Sequence, residues 1–251
     1  MNDMTSGHTV ERYNKELGAL HQTIIKASQM VCQQIRDAVQ SLEDEDVERA
    51  REVVLRDRDI DTLELKVDDM IVHLIAKRQP MARDLREVLA AGKIMSDIER
   101  IGDQTRRLAR LTILLYESDN HPPNARMLSD IPRLAKHAEQ MLEKASEAFA
   151  NLAIAPALEV IRMDADLDEE IQSALRKLST YLMEDARSIG HVVDITLAFR
   201  AIDRMGGHAA YIARHTIFLV KGKDVRHESL EEVVREVADE ASPTPGGIEN
   251  P

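Results

Sequence analysis

The chain has no tryptophan, only 3% aromatic residues and a single cysteine, Cys32, among its 251 residues. Folds built from β-sheets use more aromatic and β-branched residues, so this composition argues against a sheet protein. One cysteine excludes a disulfide within the chain, which suits a reducing cytoplasm. No metal-binding or nucleophile pattern surrounds Cys32, and we therefore expect it to be inert core packing.

Long uncharged runs are also missing. No stretch approaches the roughly 18 apolar residues of a membrane span, and the first residues show no basic region followed by an apolar run. Acidic residues outnumber Lys and Arg by 45 to 33, for a formal net charge of −12. This charge argues against nucleic acid as the main partner and suits bound cations, basic protein surfaces or simple solubility. We expect a cytoplasmic protein.

The remaining composition, 43% hydrophobic and 31% charged, is typical of long packed helices. Apolar residues at steps of three and four predict six helices. These run over about Thr9 to Leu42, Val47 to Arg78, Ala82 to Tyr116, Ser129 to Asn151, Pro156 to Glu184 and Ser188 to Val220. Most are about 30 residues, or roughly 45 Å, and such helices bury their stripes in antiparallel bundles.

A short motif occurs twice, 104 residues apart (98 to 202). Residues 98–103 read IERIGD and residues 202–207 read IDRMGG, and each motif is followed by a Leu/Ile-Ala-Arg triplet. Each copy lies in the last helix of a three-helix unit, so the chain is predicted to be all-α, with two tandem three-helix bundles. The predicted boundaries are 1–118 and 125–228 for the bundles and 238–251 for a disordered tail.

Carboxylates four residues apart lie on one face of a helix. Asp57 and Asp61 form such a pair on the second helix, and Glu99 and Asp103 form another on the third. The midpoint of the two pairs, 59 and 101, is position 80, where Gln79-Pro80 is expected to end the second helix. An antiparallel hairpin would therefore bring all four carboxylates to one site.

The second half nearly repeats this arrangement. Asp164 and Asp168 lie four apart on the fifth helix, Asp203 lies on the sixth, and the midpoint falls near Asp185. Gly207 stands where the fourth acid is expected.

Clustered carboxylates repel one another, and a cation between them would remove that repulsion. Oxygen ligands favour Mg²⁺, Ca²⁺, Mn²⁺ or iron. Solvated surface acids are the alternative, since 45 acidic residues make chance pairs common. Gly102 and Gly206 lie beside the acids and indicate either close helix approach or access of an ion to the backbone.

The sequence at this point resembles the PhoU family. The hallmark is ERIGD at residues 99–103, RQPMARDLR at 78–86 is similar to the family's turn between helices two and three, and YIAR at 211–214 with FLVKGKDVRH at 218–227 resembles the proteobacterial members. The likeness extends from about Thr9 to His227.

The resemblance implies two bundles related by pseudo-two-fold symmetry, with a metal cluster on the acidic face of each. It implies a negative regulator of phosphate uptake and phosphate-starvation signalling, an adaptor between the ATPase of the phosphate ABC transporter and a sensor histidine kinase. Such a protein would be a homodimer without catalytic residues, peripheral to the inner membrane through its partners. The expected ion is iron, Mn, Mg or Zn. The expected ligands are Asp57, Asp61, Glu99 and Asp103 in the first bundle and Asp164, Asp168 and Asp203 in the second.

The second repeat departs from the family's Glu-Arg-Ile-Gly-Asp-His. Asp203 is one methylene shorter than Glu, and Gly207 supplies no ligand, so we expect weaker binding there. His208 lies five residues after Asp203 and points about 140° away from its face, which favours a structural or surface role.

Two other functions stay open. A di-iron carboxylate enzyme would carry Glu-x-x-His motifs, but none of the nine histidines has a Glu three positions earlier, and no phosphate loop or nucleophile elbow is present. A metal-free helical scaffold is the other alternative. Arg106, Arg107 and Arg110 form either a basic docking patch or a solvated face.

Overall fold

The computed structural model describes residues 4–117, 122–184 and 186–239, and these ranges contain helices and no strand. The helices are α1 (Met4–Glu43), α2 (Val47–Arg78), α3 (Arg83–Tyr116), α4 (Ala125–Leu128), α5 (Ile131–Asn151), α6 (Ile154–Glu184), α7 (Ile189–Lys221) and α8 (Leu230–Asp239). The all-α prediction is confirmed, and the six long helices lie within a few residues of their predicted bounds.

Three features differ from expectation. Residues 125–128 form the extra short helix α4, and residues 186–188 form a 3-10 turn before α7. Helix α8 was not predicted, and it includes the first two residues of the expected tail, Ala238 and Asp239. The rest of that tail, and residues 118–121 of the predicted linker, lie outside the described residues.

Local chemistry sets the helix ends. The side chain of Asp46 accepts a hydrogen bond from the Arg49 N–H and caps α2. Gln79 takes a left-handed conformation (φ 48°) ahead of Pro80, and its N–H donates to the Ile75 carbonyl. Helices α2 and α3 are therefore joined by the tight turn that the carboxylate pairing requires.

Helices α1, α2 and α3 pack as one bundle, and α5, α6 and α7 as the other. The interior is filled with Leu, Ile, Val, Ala and Met, as the composition predicts. Cys32 is 3% exposed within this core, and burial raises the pKa of its thiol to about 12. It is the inert packing residue that was predicted. No helix in the described ranges has a stretch apolar and long enough to cross a bilayer.

Contacts between polar side chains join the two bundles. Between α3 and α7, Asp97 accepts from His208 Nδ1 at 3.0 Å and lies 3.4 Å from His215 Nε2. Burial opposes ionisation of Asp97, but the hydrogen bonds to both histidines outweigh it and lower the pKa of the carboxyl. Between α1 and α5, Arg36 Nε donates to buried Glu139 at 2.5 Å. His208 thus has the structural role expected for it.

Glycines 206 and 207 have different surroundings on α7. A Cβ on Gly206 would overlap Cδ2 of Leu167 and lie 3.4 Å from Sδ of Met141. A Cβ on Gly207 would meet no described atom within 4 Å. Gly206 therefore permits close approach of α7 to its neighbours, whereas Gly207 is not needed for packing.

We predict opposite stability effects for alanine at these two positions. Gly207→Ala gains helix propensity, worth about 1 kcal/mol, at no steric cost. Gly206→Ala gains the same but displaces Leu167, and overpacking costs about 1–3 kcal/mol, so the net effect is a small loss. Urea denaturation measures both free energies of unfolding. A Gly206→Ala protein as stable as Gly207→Ala would contradict the packing role.

Candidate metal-binding faces

The hairpin of α2 and α3 brings together the four acids predicted for the first bundle. Asp57 is only 3% exposed, and the charges of Asp61 and Asp103 both act on it. Glu99 is half-buried and lies within electrostatic reach of the same three acids. The acids of α2 therefore face those of α3, as the position of the turn predicts. We call this set, with Glu64 added below, the first acidic face.

Glu64 is a fifth acid on this face that sequence reasoning missed. Its charge acts on Glu99, and its pKa is raised by burial and by the charges of Asp68 and Asp61, while a hydrogen bond with Ser96 opposes the rise. The signal was available, because positions 64 and 96 are also level about position 80. Glu64 lies four residues before Asp68, but the positions level with this pair about position 80 hold Ser96 and Gly92, and the prediction required acids on both helices.

Arg106 lies among these acids. Its Nη1 donates to Oδ2 of Asp57, and its Nη2 lies 2.6 Å from Oδ1 of Asp103. A guanidinium held by two carboxylates supplies part of the compensating charge that the cluster requires. Arg106 is therefore a component of the acidic face, and it does not belong to a surface patch with Arg107 and Arg110.

Negative charge remains in excess despite Arg106. Burial raises the pKa of Asp57, Arg106 opposes that rise, and Asp61 and Asp103 add to it. Burial, followed by the charges of Asp103 and Glu64, raises the pKa of Glu99 to about 7. A carboxylate that titrates near neutrality is one whose ionised form lacks a partner.

Gly102 lies directly beside this cluster. A Cβ at this position would be 3.3 Å from Oδ1 of Asp57 and 3.7 Å from Cγ2 of Val31. The glycine thus lets α3 approach α1 and the buried carboxylate of α2 closely. Close helix approach is the role that the structure supports for Gly102, and the same holds for Gly206.

The second acidic face contains the three acids predicted for it. Asp164, Asp168 and Asp203 line one cleft of about 570 Å³ together with Gly207 and Arg214. Burial raises the pKa of Asp164 and of Asp203, and the charge of Asp168 adds to both shifts. Arg214 opposes the shift at Asp164. The face is acidic, as predicted, with an open position at Gly207.

Arg214 also connects this face to the C-terminal segment. Its Nη1 donates to the carbonyl oxygens of Val225 and Glu228, both at 3.0 Å. Leu230, the first residue of α8, lines the same cleft. The unpredicted helix α8 therefore begins at the edge of the second acidic face.

The donor chemistry of both faces fits a hard cation, because every predicted ligand is a carboxylate whose charge is incompletely balanced. As placed, no three His, Cys, Asp or Glu side chains of the described ranges converge closely enough to hold a metal ion. In the first face Arg106 is held by Asp57 and Asp103. A cation bound there would compete with this guanidinium for the same oxygens.

We predict that Glu99→Gln makes chelator-treated protein more stable at alkaline pH. The folded-state pKa of about 7 lies above the ordinary 4.5, so ionising Glu99 costs stability as pH rises between these values. Allowing for partial solvent screening, the variant gains about 1 kcal/mol near pH 8 and nothing below the ordinary pKa. Urea denaturation near pH 8 and again below the ordinary pKa of 4.5 measures the free energy of unfolding of both proteins. Glu169→Gln, at an exposed position on α6, is the control, and equal pH dependence of all three proteins would contradict the burial of Glu99.

Both bundles match a known protein family. The family model described as PhoU domain matches residues 24–112 and 131–216, one segment in each bundle. A phosphate-specific transport system accessory protein PhoU homolog of Pseudomonas aeruginosa is 36% identical over 235 residues, covering 94% of this chain and 96% of that protein. The accessory protein PhoU of Escherichia coli K12 is 34% identical over 226 residues, covering 90% and 92%.

Two solved structures have a similar fold. The crystal structure of PhoU from Pseudomonas aeruginosa has a TM-score of 0.79 at 36% identity and covers 84% of this chain and 100% of that one. The phosphate transport system regulatory protein PhoU of Streptococcus pneumoniae has a TM-score of 0.76 at 22% identity, covering 85% and 99%, and supports the fold alone. With both bundles matched along nearly their whole length, the chain belongs to the PhoU family.

Proposed function

We propose that this chain is a non-enzymatic negative regulator of phosphate uptake and phosphate-starvation signalling. The observation that carries the proposal is membership of the PhoU family across both bundles, with relatives described as accessory proteins of the phosphate-specific transport system. Its partners are the ATPase of the phosphate ABC transporter and a sensor histidine kinase, which it meets in the cytoplasm at the membrane, as a homodimer.

The two acidic faces are the proposed metal sites. Asp57, Asp61, Glu99 and Asp103 would hold an ion in the first bundle, with Asp164, Asp168 and Asp203 in the second. The ion would be divalent or trivalent: iron, Mn, Mg or Zn. When bound, it would neutralise the carboxylates and tie α2 to α3, or α6 to α7, so that each bundle presents a fixed surface.

A metalloenzyme is the less supported alternative. The donors gathered on both faces are carboxylates, while catalytic di-iron bundles add a histidine from a Glu-x-x-His motif. The histidine next to the second face, His208, is engaged by Asp97. An adaptor uses such faces without requiring an open catalytic position.

Deletion of the gene in its host tests the regulatory function. We expect constitutive alkaline phosphatase and phosphate over-accumulation in phosphate-rich medium, because the negative regulator is absent. Unchanged phosphate control after deletion would contradict the proposal.

Complementation of the deletion tests whether the first acidic face is needed for repression. A gene carrying Asp61→Asn and Glu99→Gln should leave phosphatase derepressed although the chain accumulates normally, since two carboxylates of the face have lost their charge. Asp166→Asn, which changes an exposed acid of α6, should restore repression and is the matched control.

A further inference from the structure

A groove of about 610 Å³ lies between α3 and α7, away from the first acidic face. Gln104 to Leu114 of α3 line one side, and Asp194 to Arg204 of α7 line the other. Asp97, near the middle of α3, contacts His208 and His215 of α7, and the later residues of α3 face the earlier residues of α7 across the groove. The two helices therefore run antiparallel. We call the groove between them the inter-bundle groove.

Four arginines converge on this groove from its two sides: Arg107, Arg110, Arg200 and Arg204. Two carboxylates, Asp194 and Asp203, also line it. The lining therefore carries a formal surplus of positive charge on a chain whose net charge is −12. The local charge of the groove is thus opposite in sign to the net charge of the protein.

The arginines are weakly engaged. Arg107 Nη1 donates to Oε1 of Gln104 at 3.3 Å, and Arg200 lies 3.9 Å from Asp203. Arg110 and Arg204 make no hydrogen bond or ion pair with a described residue, and both are exposed. Within the described part of the chain these two guanidinium groups donate to no acceptor, although the charge of Arg204 acts on Asp203. They can therefore bind carboxylates from outside.

An apolar stripe continues from the same groove. Ile189, Val193 and Leu197 follow one another at four-residue steps on α7 and are 57%, 52% and 62% exposed. Leu114 of α3 is 56% exposed and lines the groove together with Leu197. Single exposed aliphatic residues are ordinary, but a stripe of them beside weakly engaged arginines marks an interaction surface.

The spacing selects the kind of occupant. Aliphatic residues at four-residue steps along one helix match the apolar stripe of a second helix packed into the groove. A small oxyanion would make no use of the stripe and would meet only exposed arginines. A nucleotide would find no aromatic ring among the lining residues for its base. A helix with leucines on one face and carboxylates beside them would contact both the apolar stripe and the groove arginines.

We propose that the inter-bundle groove docks an acidic amphipathic helix of a partner protein. Its apolar face covers Leu114, Val193 and Leu197, and its carboxylates pair with the four groove arginines. The inference rests on the proposed adaptor function, for which it names one docking surface. The chain as a whole is negatively charged and on average repels an acidic helix, so the positive surplus of the groove favours binding there.

Peptide binding to the full-length chain tests the proposal. The probe is a fluorescein-labelled helical peptide of about 18 residues, five turns, with leucines on one face and glutamates flanking them. Anisotropy should show saturable binding with Kd on the order of 10–100 µM. Raising the salt to about 0.5 M should weaken binding several-fold, because the pairs lie at an exposed rim. The same peptide with lysine for glutamate should bind at least about tenfold more weakly.

Matched variants locate the site. Arg107→Glu with Arg110→Glu, and separately Leu197→Asp, should each weaken binding about tenfold or more, and these residues line the groove without lining the second acidic face. Arg176→Glu on α6 and Leu65→Asp on α2 change equally exposed residues away from the groove and should leave Kd unchanged. All these positions are exposed, so circular dichroism and the unfolding midpoint should match wild type.

Three results would overturn the inference: no saturable binding, equal binding of the lysine peptide, or groove variants that bind like wild type. Sedimentation completes the test. If the double arginine variant converts a dimer to a monomer and the peptide does not bind, a second copy of the chain occupies the groove and the inference is wrong.

Phosphate control distinguishes this inference from the proposed function. If deletion derepresses phosphatase but the double arginine variant restores repression fully and the peptide does not bind, the groove inference alone fails. If deletion changes nothing, the regulatory function fails, whatever the peptide shows.

Discussion

The structure depends on one constraint: carboxylates on two helices must share a face because the helices fold back on each other. The chain turns sharply at Gln79-Pro80, and the aliphatic stripe of α2 is buried in the core, so the turn and the core together determine which residues of α2 and α3 are level. Asp57 and Asp61 then meet Glu99 and Asp103. Packing of the hydrophobic core thus holds these carboxylates close together although they repel one another. Arg106 offsets part of that repulsion by pairing with Asp57 and Asp103. The repulsion that Arg106 does not offset, together with burial, raises the pKa of Glu99 to about 7.

The second constraint is the packing of α3 against α7, which joins the repeats. The buried cluster of Asp97 with His208 and His215 holds one part of this contact, and the inter-bundle groove opens along another. Asp203 lines both the groove and the second acidic face. Arg204 lines both as well, so two side chains are common to the proposed metal site and the proposed docking surface. Neutralising the acids of the metal site therefore changes the electrostatic potential in the groove.

Features with a strict period could be predicted from the sequence. Helical stripes, the turn at Gln79-Pro80 and the repeat offset together gave the all-α fold, the two bundles and the shared acidic faces. Each follows from local geometry, since a helix fixes which residues are level once its turn is placed.

Other features could not be read in this way. Arg106 was grouped with its neighbours in sequence because its long side chain can point to either side of the helix. Glu64 was missed because the residue level with it on α3 is the uncharged Ser96, whereas the prediction depended on acids that face acids. Helix α8 was missed because its short segment lacks a long stripe, and its burial depends on tertiary packing of Val233.

Calorimetric titration of Mn²⁺ into chelator-stripped protein tests the shared-face account most directly. It predicts a tighter site that is lost in Asp61→Asn and a weaker one that is lost in Asp203→Ala. Gly207→Asp should strengthen the weaker site, since a side chain there enters open space beside Asp164, Asp168 and Asp203. Absence of binding, or two equal sites in the wild-type chain that Gly207→Asp leaves unchanged, would contradict it.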